Sequence, residues 1–370
     1  MRVALLGTRG YPSTYGGFET LIRHLGPYLR DRGHEVTVYG REGRPGEDVV
    51  DGIRRVTTRG VESKSASTLT FGATAIAHAA REQYDAAFVA NVAHGYYLPL
   101  LRSRRVPTVV NVDGIEWERD KWGAAAKRVF RTGALLTNRW ADHLVTDARA
   151  ISRYWKAEFD RDSTFIPYGA PVVDSAPPTA PDELGLQSRG YALVVARLVP
   201  ENNVETILDA FATTDAVPLV VVGSANYDSP LATRLEHLAA ARPDVHALGH
   251  VHDQTFLQSL WSHAACVVHG HSVGGTNPAL LQAMGSGTAV LAFDTVYNRE
   301  VLGETGRYWQ DASRLRDAVA EVRDDVGLRD RLGRAAQERV RTAYAWDDVC
   351  ARYEHLLVRA ADARWAPVAA

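Results

Sequence analysis

The chain of 370 residues is about twice the usual length of a single domain, so two domains of similar size are expected. Hydrophobic residues make up 46% of it and charged residues 23%, a balance that excludes a disordered, collagen-like or disulfide-stapled protein. Lysine and arginine number 42 against 44 acidic residues, a formal charge of −2, so no overall field recommends nucleic acid as a partner.

The charge is unevenly spread. Residues 1–170 carry 25 Lys and Arg against 19 Asp and Glu, whereas residues 171–370 carry 17 against 25. Different partners for the two halves, or simply unequal solvated surfaces, would both give this pattern. Cys266 and Cys350 are too few for a disulfide framework or a cysteine-ligated metal and fit a reducing, cytoplasmic setting. The opening MRVALLG lacks the long apolar core and cleavage site of a secretory leader and reads as a first strand. No window approaches the roughly 18 uncharged apolar residues of a membrane span, so any membrane contact is expected to be peripheral, at the inner face and through the basic first half.

In chain order, short apolar runs of strand length alternate with longer amphipathic stretches, the pattern of parallel sheets covered by helices. In the first half the strands are expected at 2–7, 35–40, 86–91, 108–114 and 143–148. Leu21, Ile22, Leu25 and Leu29 repeat at helical spacing between the first two, and Gly33 supplies a stop. Residues 171–188, rich in Pro, Ser and Thr, read as a connector. A second series of strands follows at 191–197, 218–224, 245–251, 265–270 and 288–294. From Trp346, residues Val349, Tyr353, Leu356 and Leu357 share one face of a closing helix. The fold class is therefore α/β, with a domain over 1–170, a second over 171–345 and a C-terminal helix within 346–370.

Two glycine-rich loops carry the chemistry. The first strand runs into GTRGYPSTYGGFET, where Gly7, Gly10, Gly16 and Gly17 precede a helix, and free amides at such a helix start suit a phosphate or a sugar. A strand-to-helix connection that merely needs glycines is the plainer reading. The loop is neither the dinucleotide fingerprint nor the P-loop, so dehydrogenase and nucleotidase readings lose ground. The second loop, HSVGGTNPALLQAM, places Gly274, Gly275, Thr276 and Asn277 before Pro278, a residue suited to the first helical position. Leu280, Leu281 and Met284 would pack that helix on its sheet, leaving Gln282 to face a ligand or solvent.

Arg197 stands just past a strand, where the crevice of an open parallel sheet would need a cation for a diphosphate; an ordinary surface arginine is the alternative. His94 and Asp113 also follow strands, where they could touch a reacting sugar; a purely structural role is the commoner one for a lone histidine in such a place. The cluster Asp113, Glu116, Glu118 and Asp120 alternates with Arg119 and Lys121, so it reads as solvated faces rather than a metal site. No nucleophile elbow and no zinc-ligand spacing occurs, which leaves hydrolase and zinc-enzyme readings without support.

With those residues on the page, the sequence resembles the retaining nucleotide-sugar glycosyltransferases of family four, whose GT-B fold has two Rossmann-like domains facing across a cleft. GTRGYPSTYGGFET, DGIEWERDKWG, ARLVPENN and HSVGGTNPALLQAM, in this order, are similar to the bacterial rhamnosyltransferase-type subgroup. The resemblance implies a donor held mainly by the second domain, with its phosphates between Arg197 and the helix after Thr276. Asn202, Gly223, Val251, Gly274, Gly275, Asn277 and Gln282 are implied as further donor contacts, and the Gly16–Gly17 loop as one that closes over the phosphates. The acceptor would lie against the first domain and the final helix would cross back to it.

Three departures from the family pattern involve four positions. Two glutamates common in the family correspond to Gly274 and Gln282, Asn202 replaces the usual lysine beside Arg197, and Asp113 stands where many relatives have histidine. The implied reaction is transfer of a hexose, with dTDP-L-rhamnose favoured as donor, to a sugar, lipid-linked or small-molecule acceptor, and with neither cofactor nor metal. A nucleotide-sugar epimerase and a non-catalytic nucleotide-sugar binding protein are the alternatives. Residues Arg102, Arg104, Arg105, Lys121, Lys127, Arg128 and Arg131 would attract a lipid diphosphate or an anionic membrane, or serve solubility alone.

Overall fold

The computed structural model describes residues 1–12, 16–62, 67–119, 122–213, 217–225 and 229–363. Residues 13–15 of the first glycine-rich loop, and Asp120 and Lys121 of the charged cluster, lie outside the described residues. The chain divides into two units, one of residues 1–168 with 346–370 and one of residues 169–345.

The first unit runs β1 (Arg2–Leu6), α1 (Gly17–Asp31), β2 (Glu35–Gly40), β3 (Gly46–Val50), β4 (Ile53–Thr57), α2 (Ser67–Ala79), β5 (Ala86–Ala90), α3 (Leu98–Ser103), β6 (Thr108–Asn111), α4 (Ala124–Trp140), β7 (His143–Thr146), α5 (Arg149–Phe159) and β8 (Thr164–Phe165). Its eight-stranded sheet has the order β3-β4-β2-β1-β5-β6-β7-β8 and is parallel except for the β3–β4 hairpin. The central strands β1 and β5 are continuous apolar runs because helices cover both of their faces, and nearly every residue in them is buried. In α1 the stripe Leu21, Ile22, Leu25 and Leu29 is buried, and the helix gives way to Gly33 at a φ of +81°.

The second unit contains α6 (Thr179–Leu184), β9 (Ala192–Val195), α7 (Val204–Ala212), β10 (Leu219–Val222), α8 (Pro230–Ala241), β11 (Val245–Gly249), α9 (Gln254–His263), β12 (Cys266–His269), α10 (Pro278–Gly285), β13 (Ala289–Phe293), α11 (Val296–Leu302), β14 (Arg307–Trp309), α12 (Ala312–Asp324) and α13 (Val326–Ala343). Its six strands lie in the order β11-β10-β9-β12-β13-β14, all parallel. One face of that sheet packs Val194, Val221, Val268 and Leu291 with Ile207, Phe211 and Trp309 into a single apolar core.

The last described element is α14 (Trp346–Ala363), which belongs to the first unit. Its apolar face, including Val349, Tyr353 and Leu357, is buried. Tyr353 meets Phe88 of β5 edge-on at 5.5 Å and accepts a 2.8 Å hydrogen bond from the Asn111 amide of β6. Trp346 stacks on His24 of α1 at 4.1 Å, and Glu354 pairs with Arg32 and His34.

Several strands stop short of the expected ends, for a local reason in each case. β10 stops at Val222 because Gly223 adopts a φ of +142°, and β11 stops at Gly249, whose φ is +64°. β6 stops at Asn111, whose side-chain oxygen accepts the Asp113 amide, and Asp113 itself has a φ of +62°. The connector expected over 171–188 contains α6, and the sequence reading missed the β3–β4 hairpin altogether. No helix among the described residues is long and apolar enough to cross a membrane.

Candidate functional site

In an open parallel sheet, ligands bind beyond the carboxyl ends of the strands where the chain order reverses direction. Each unit has one such point. In the second unit it lies between β9 and β12, which pair directly, Cys266 opposite Ala192 and Val267 opposite Leu193. In the first it lies between β1 and β5.

Beyond β9, Arg197 is exposed, and the chain then turns through Pro200–Asn202 into α7. Beyond β12 runs the loop that leads to α10. The two loops are fastened together. The Asn202 amide donates to the Arg197 carbonyl at 2.8 Å, its oxygen faces Nδ1 of His271 at 2.5 Å, and both the amide and the hydroxyl of Ser272 donate to the Glu201 carbonyl at 2.9 and 2.8 Å. Because a carbonyl can only accept, the Asn202 nitrogen must face Arg197 and its oxygen must face His271, so Nδ1 of His271 carries the proton. Gly270 permits the approach, since a Cβ there would lie 2.1 Å from the Asn202 carbonyl oxygen.

Asn202 was expected to contact the donor itself. Its buried side chain bonds the Arg197 carbonyl and His271 and so braces the two loops against each other. Gly223 lies at the end of the neighbouring strand, and a Cβ on it would fall 1.8 Å from the Ala196 carbonyl oxygen. Asn277 caps α10 by accepting a 2.9 Å bond from the Ala279 amide with its side-chain oxygen, while Pro278 opens the helix. Thr276 is 3% exposed, Gly274 has a φ of +98°, Gly275 is half-buried, and Gln282 is half-buried on a helix that buries Leu280, Leu281 and Met284. Val251 lies past the end of β11, half-buried.

The sequence reading also passed over Glu201, His269 and His271. His269 ends β12; burial pulls its pKa down to about 4, so it is neutral at physiological pH. The signal for His271 and Ser272 was their place directly after a central strand, which was read for its glycines alone.

At the switch point of the first unit there is a cavity of about 170 Å³, walled by Gly7, Arg9, Glu19, Asn91, His94 and Asp113 among others. His94 is 2% exposed and donates Nδ1–H to the Ala90 carbonyl at 2.6 Å; burial holds it in the neutral form. Two glycines make room for the imidazole, because a Cβ on Gly7 would lie 2.9 Å and one on Gly72 2.3 Å from ring carbons. Asp113 is half-buried and accepts from the Asn91 amide at 3.1 Å. Glu19, in the first turn of α1, accepts the Arg9 amide at 2.9 Å, and its burial raises its pKa against the opposing pull of that hydrogen bond. Gly16 caps α1 with a φ of +126°, and a Cβ on Gly17 would touch the Tyr168 hydroxyl at 3.1 Å. Glu116, from the acidic cluster, is occupied by Arg119 at 2.9 Å and by the Trp122 indole at 2.8 Å.

Residues 16–169 match the model of the glycosyl transferase 4-like domain, and residues 189–325 match that of the glycosyl transferases group 1. The chain belongs to the GT-B glycosyltransferases. Among solved structures, the glycosyltransferase resembles the sucrose-phosphate synthase of Thermosynechococcus elongatus with a TM-score of 0.82 and 20% identity over 98% of this chain and 99% of that one. HepE of Anabaena, solved with UDP-glucose, gives 0.77 and 16% over 97% and 100%. A glycosyltransferase of Rickettsia africae gives 0.74 and 10% over 97% and 98%. No curated protein matches this glycosyltransferase by sequence.

Proposed function

We propose that the protein is a retaining hexosyltransferase that takes its sugar from a nucleotide diphosphate and delivers it to an acceptor hydroxyl. The observation that supports this reading is the fastening of the loop that carries Arg197 to the loop that leads into α10, at the β9–β12 switch point where an open parallel sheet takes its ligand. As the bond from the anomeric carbon to the phosphate oxygen breaks, negative charge grows on the leaving diphosphate. Arg197 and the amides around Gly275 and Thr276 would meet that charge more strongly in the transition state than before it, with no metal required. The acceptor oxygen forms the new bond, and its proton passes to the departing phosphate oxygen.

On the first unit, Asp113 and His94 would hold the acceptor, and the amides of Gly16 and Gly17 offer themselves to an anion. The four sequence strings favour dTDP-L-rhamnose as donor, while the structure of HepE with UDP-glucose makes a UDP-hexose the competitor to include. The basic face of α3 and α4 would keep the enzyme at the inner surface of an anionic membrane.

A panel of dTDP- and UDP-hexoses, followed by nucleotide release and by NMR of the sugar, tests the reading. Transfer with retained configuration is expected. Conversion of the donor alone into its epimer would establish an epimerase, and binding without nucleotide release would establish a non-catalytic binder. Arg197→Ala should lower kcat by about a hundredfold or more, the usual cost of one charge-stabilising donor, with little change in Tm because its guanidinium is exposed.

A further inference from the structure

At the carboxyl ends of the first unit's strands, the 170 Å³ cavity is joined by a larger one of about 520 Å³ that extends past β2 to the β3–β4 hairpin. Arg9 and Gly40 wall both. The end of β2 lies directly on the 9–10 turn there: a Cβ on Gly40 would sit 2.6 Å from the Gly10 Cα, and the Arg41 amide donates to the Arg9 carbonyl at 2.9 Å.

The charged groups around these cavities are not equally engaged. Arg9 pairs with Glu42 at 3.2 Å, and Arg55 pairs with Asp48 and donates to the Tyr11 carbonyl at 2.9 Å. Glu47 is held by Arg54 at 2.7 Å and His78 at 3.3 Å, Glu19 by the Arg9 amide, and Asp113 by Asn91. Every wall carboxylate therefore has a partner. Arg41, on the smaller cavity, acts on Glu19 only through space, and Arg44, on the larger, is exposed; neither guanidinium makes a hydrogen bond or ion pair among the described residues. Two arginines that make no hydrogen bond or ion pair of their own, beside carboxylates that each already accept a hydrogen bond, indicate a ligand that brings its own negative charge, since planar guanidinium groups suit carboxylate and phosphate.

We infer that the acceptor is an anionic sugar, bearing a carboxylate or a phosphate, whose ring occupies the smaller cavity and whose charge lies against Arg41 and Arg44, with any further part of the acceptor in the larger cavity. This rests on the reading that the first unit binds the acceptor.

The test is calorimetric titration of the full chain, without donor, with methyl glucoside, glucuronate and glucose 6-phosphate at low and moderate salt. The two anions should bind about tenfold more tightly than the neutral sugar, as expected for added charge-assisted hydrogen bonds, and salt should narrow the difference. Arg41→Gln and Arg44→Gln should each weaken anion binding by about three- to tenfold, whereas the double lysine variant R41K/R44K should retain most of it; a melting curve on each variant verifies folding. The two anionic arms separate carboxylate from phosphate. Neutral sugar binding as tightly as the anions, no loss in the glutamine variants, or binding of none of the three overturns the inference. Anion binding in the expected pattern by a protein that turns over no donor would instead overturn the transferase reading and leave this site standing.

Discussion

Gly223 shows how one residue without a side chain can fix a site. Its φ of +142° is open to glycine, and the Ala196 carbonyl oxygen stands 1.8 Å from where a Cβ would be, one residue before Arg197. Gly223→Ala must therefore push the β9 end aside. The combined backbone strain and overlap should cost about 3 kcal/mol or more, near 10 °C in Tm for a unit of this size, and should displace Arg197, so that activity is lost even at temperatures where the variant remains folded. A melting curve with donor turnover measured well below the transition checks both parts. Such glycines were legible in the sequence because each follows an apolar run. The part played by Asn202 was not: its partners are the Arg197 carbonyl and a histidine 69 positions away, and nothing in ARLVPENN announces a bond to His271. Loops joined by tertiary hydrogen bonds leave no trace at the spacing a sequence pattern can read.

Among elements, the central strands were the most legible, because strands buried on both faces appear as unbroken apolar runs. The β3–β4 hairpin was hidden by its composition, GEDVV and IRRVT, in which charged residues interrupt the apolar ones. Its turn did carry a signal, since Asp51 and Gly52 adopt φ values of +51° and +74°, the left-handed pair that an Asp-Gly hairpin turn requires. Helix α4 makes a different point. It contains no acidic residue, and Arg128, Arg131, Leu135 and Arg139 recur at helical spacing on its exposed side, with Leu135 51% exposed. The neighbouring α3 adds Leu100, 40% exposed, and leads into Arg102, Arg104 and Arg105. A cationic helix face carrying isolated leucines suits an anionic lipid surface. The chain should therefore sediment with vesicles containing phosphatidylglycerol and not with phosphatidylcholine alone. Replacing Arg128 and Arg139 by glutamine should weaken that binding by about thirtyfold, taking about 1 kcal/mol for each cation near the surface. Arg131 is left out of the substitution because Glu158 already pairs with it at 2.5 Å. Equal sedimentation with both vesicle types would show the face to be a solvated surface and no more.

At the scale of the whole molecule, two sheets with a reversal of strand order each place one set of polar loops at the carboxyl ends of their central strands, and this follows from the order of apolar runs along the chain. What composition alone did not disclose is that the first unit needs the last helix. Tyr353 and the buried face of α14 close over β5 and β6, and the same Asn111 whose amide bonds Tyr353 uses its oxygen to hold Asp113. The two sets of loops should then be separable by mutation. Asp113→Ala removes a carboxylate held by Asn91 within the first unit and keeps the backbone amide that bonds Asn111, while Arg197 is built into the second. If acceptor binding and donor binding are divided in this way, Asp113→Ala should lower transfer by about a hundredfold, the middle of the range for a positioned polar group at the reacting centre, with donor affinity changed by no more than about twofold. Calorimetry with the donor identified from the panel, alongside transfer rates at saturating donor, measures both quantities on the same preparation. A loss of donor affinity parallel to the loss of rate would place Asp113 on the donor instead and would move the acceptor away from the β1–β5 switch point.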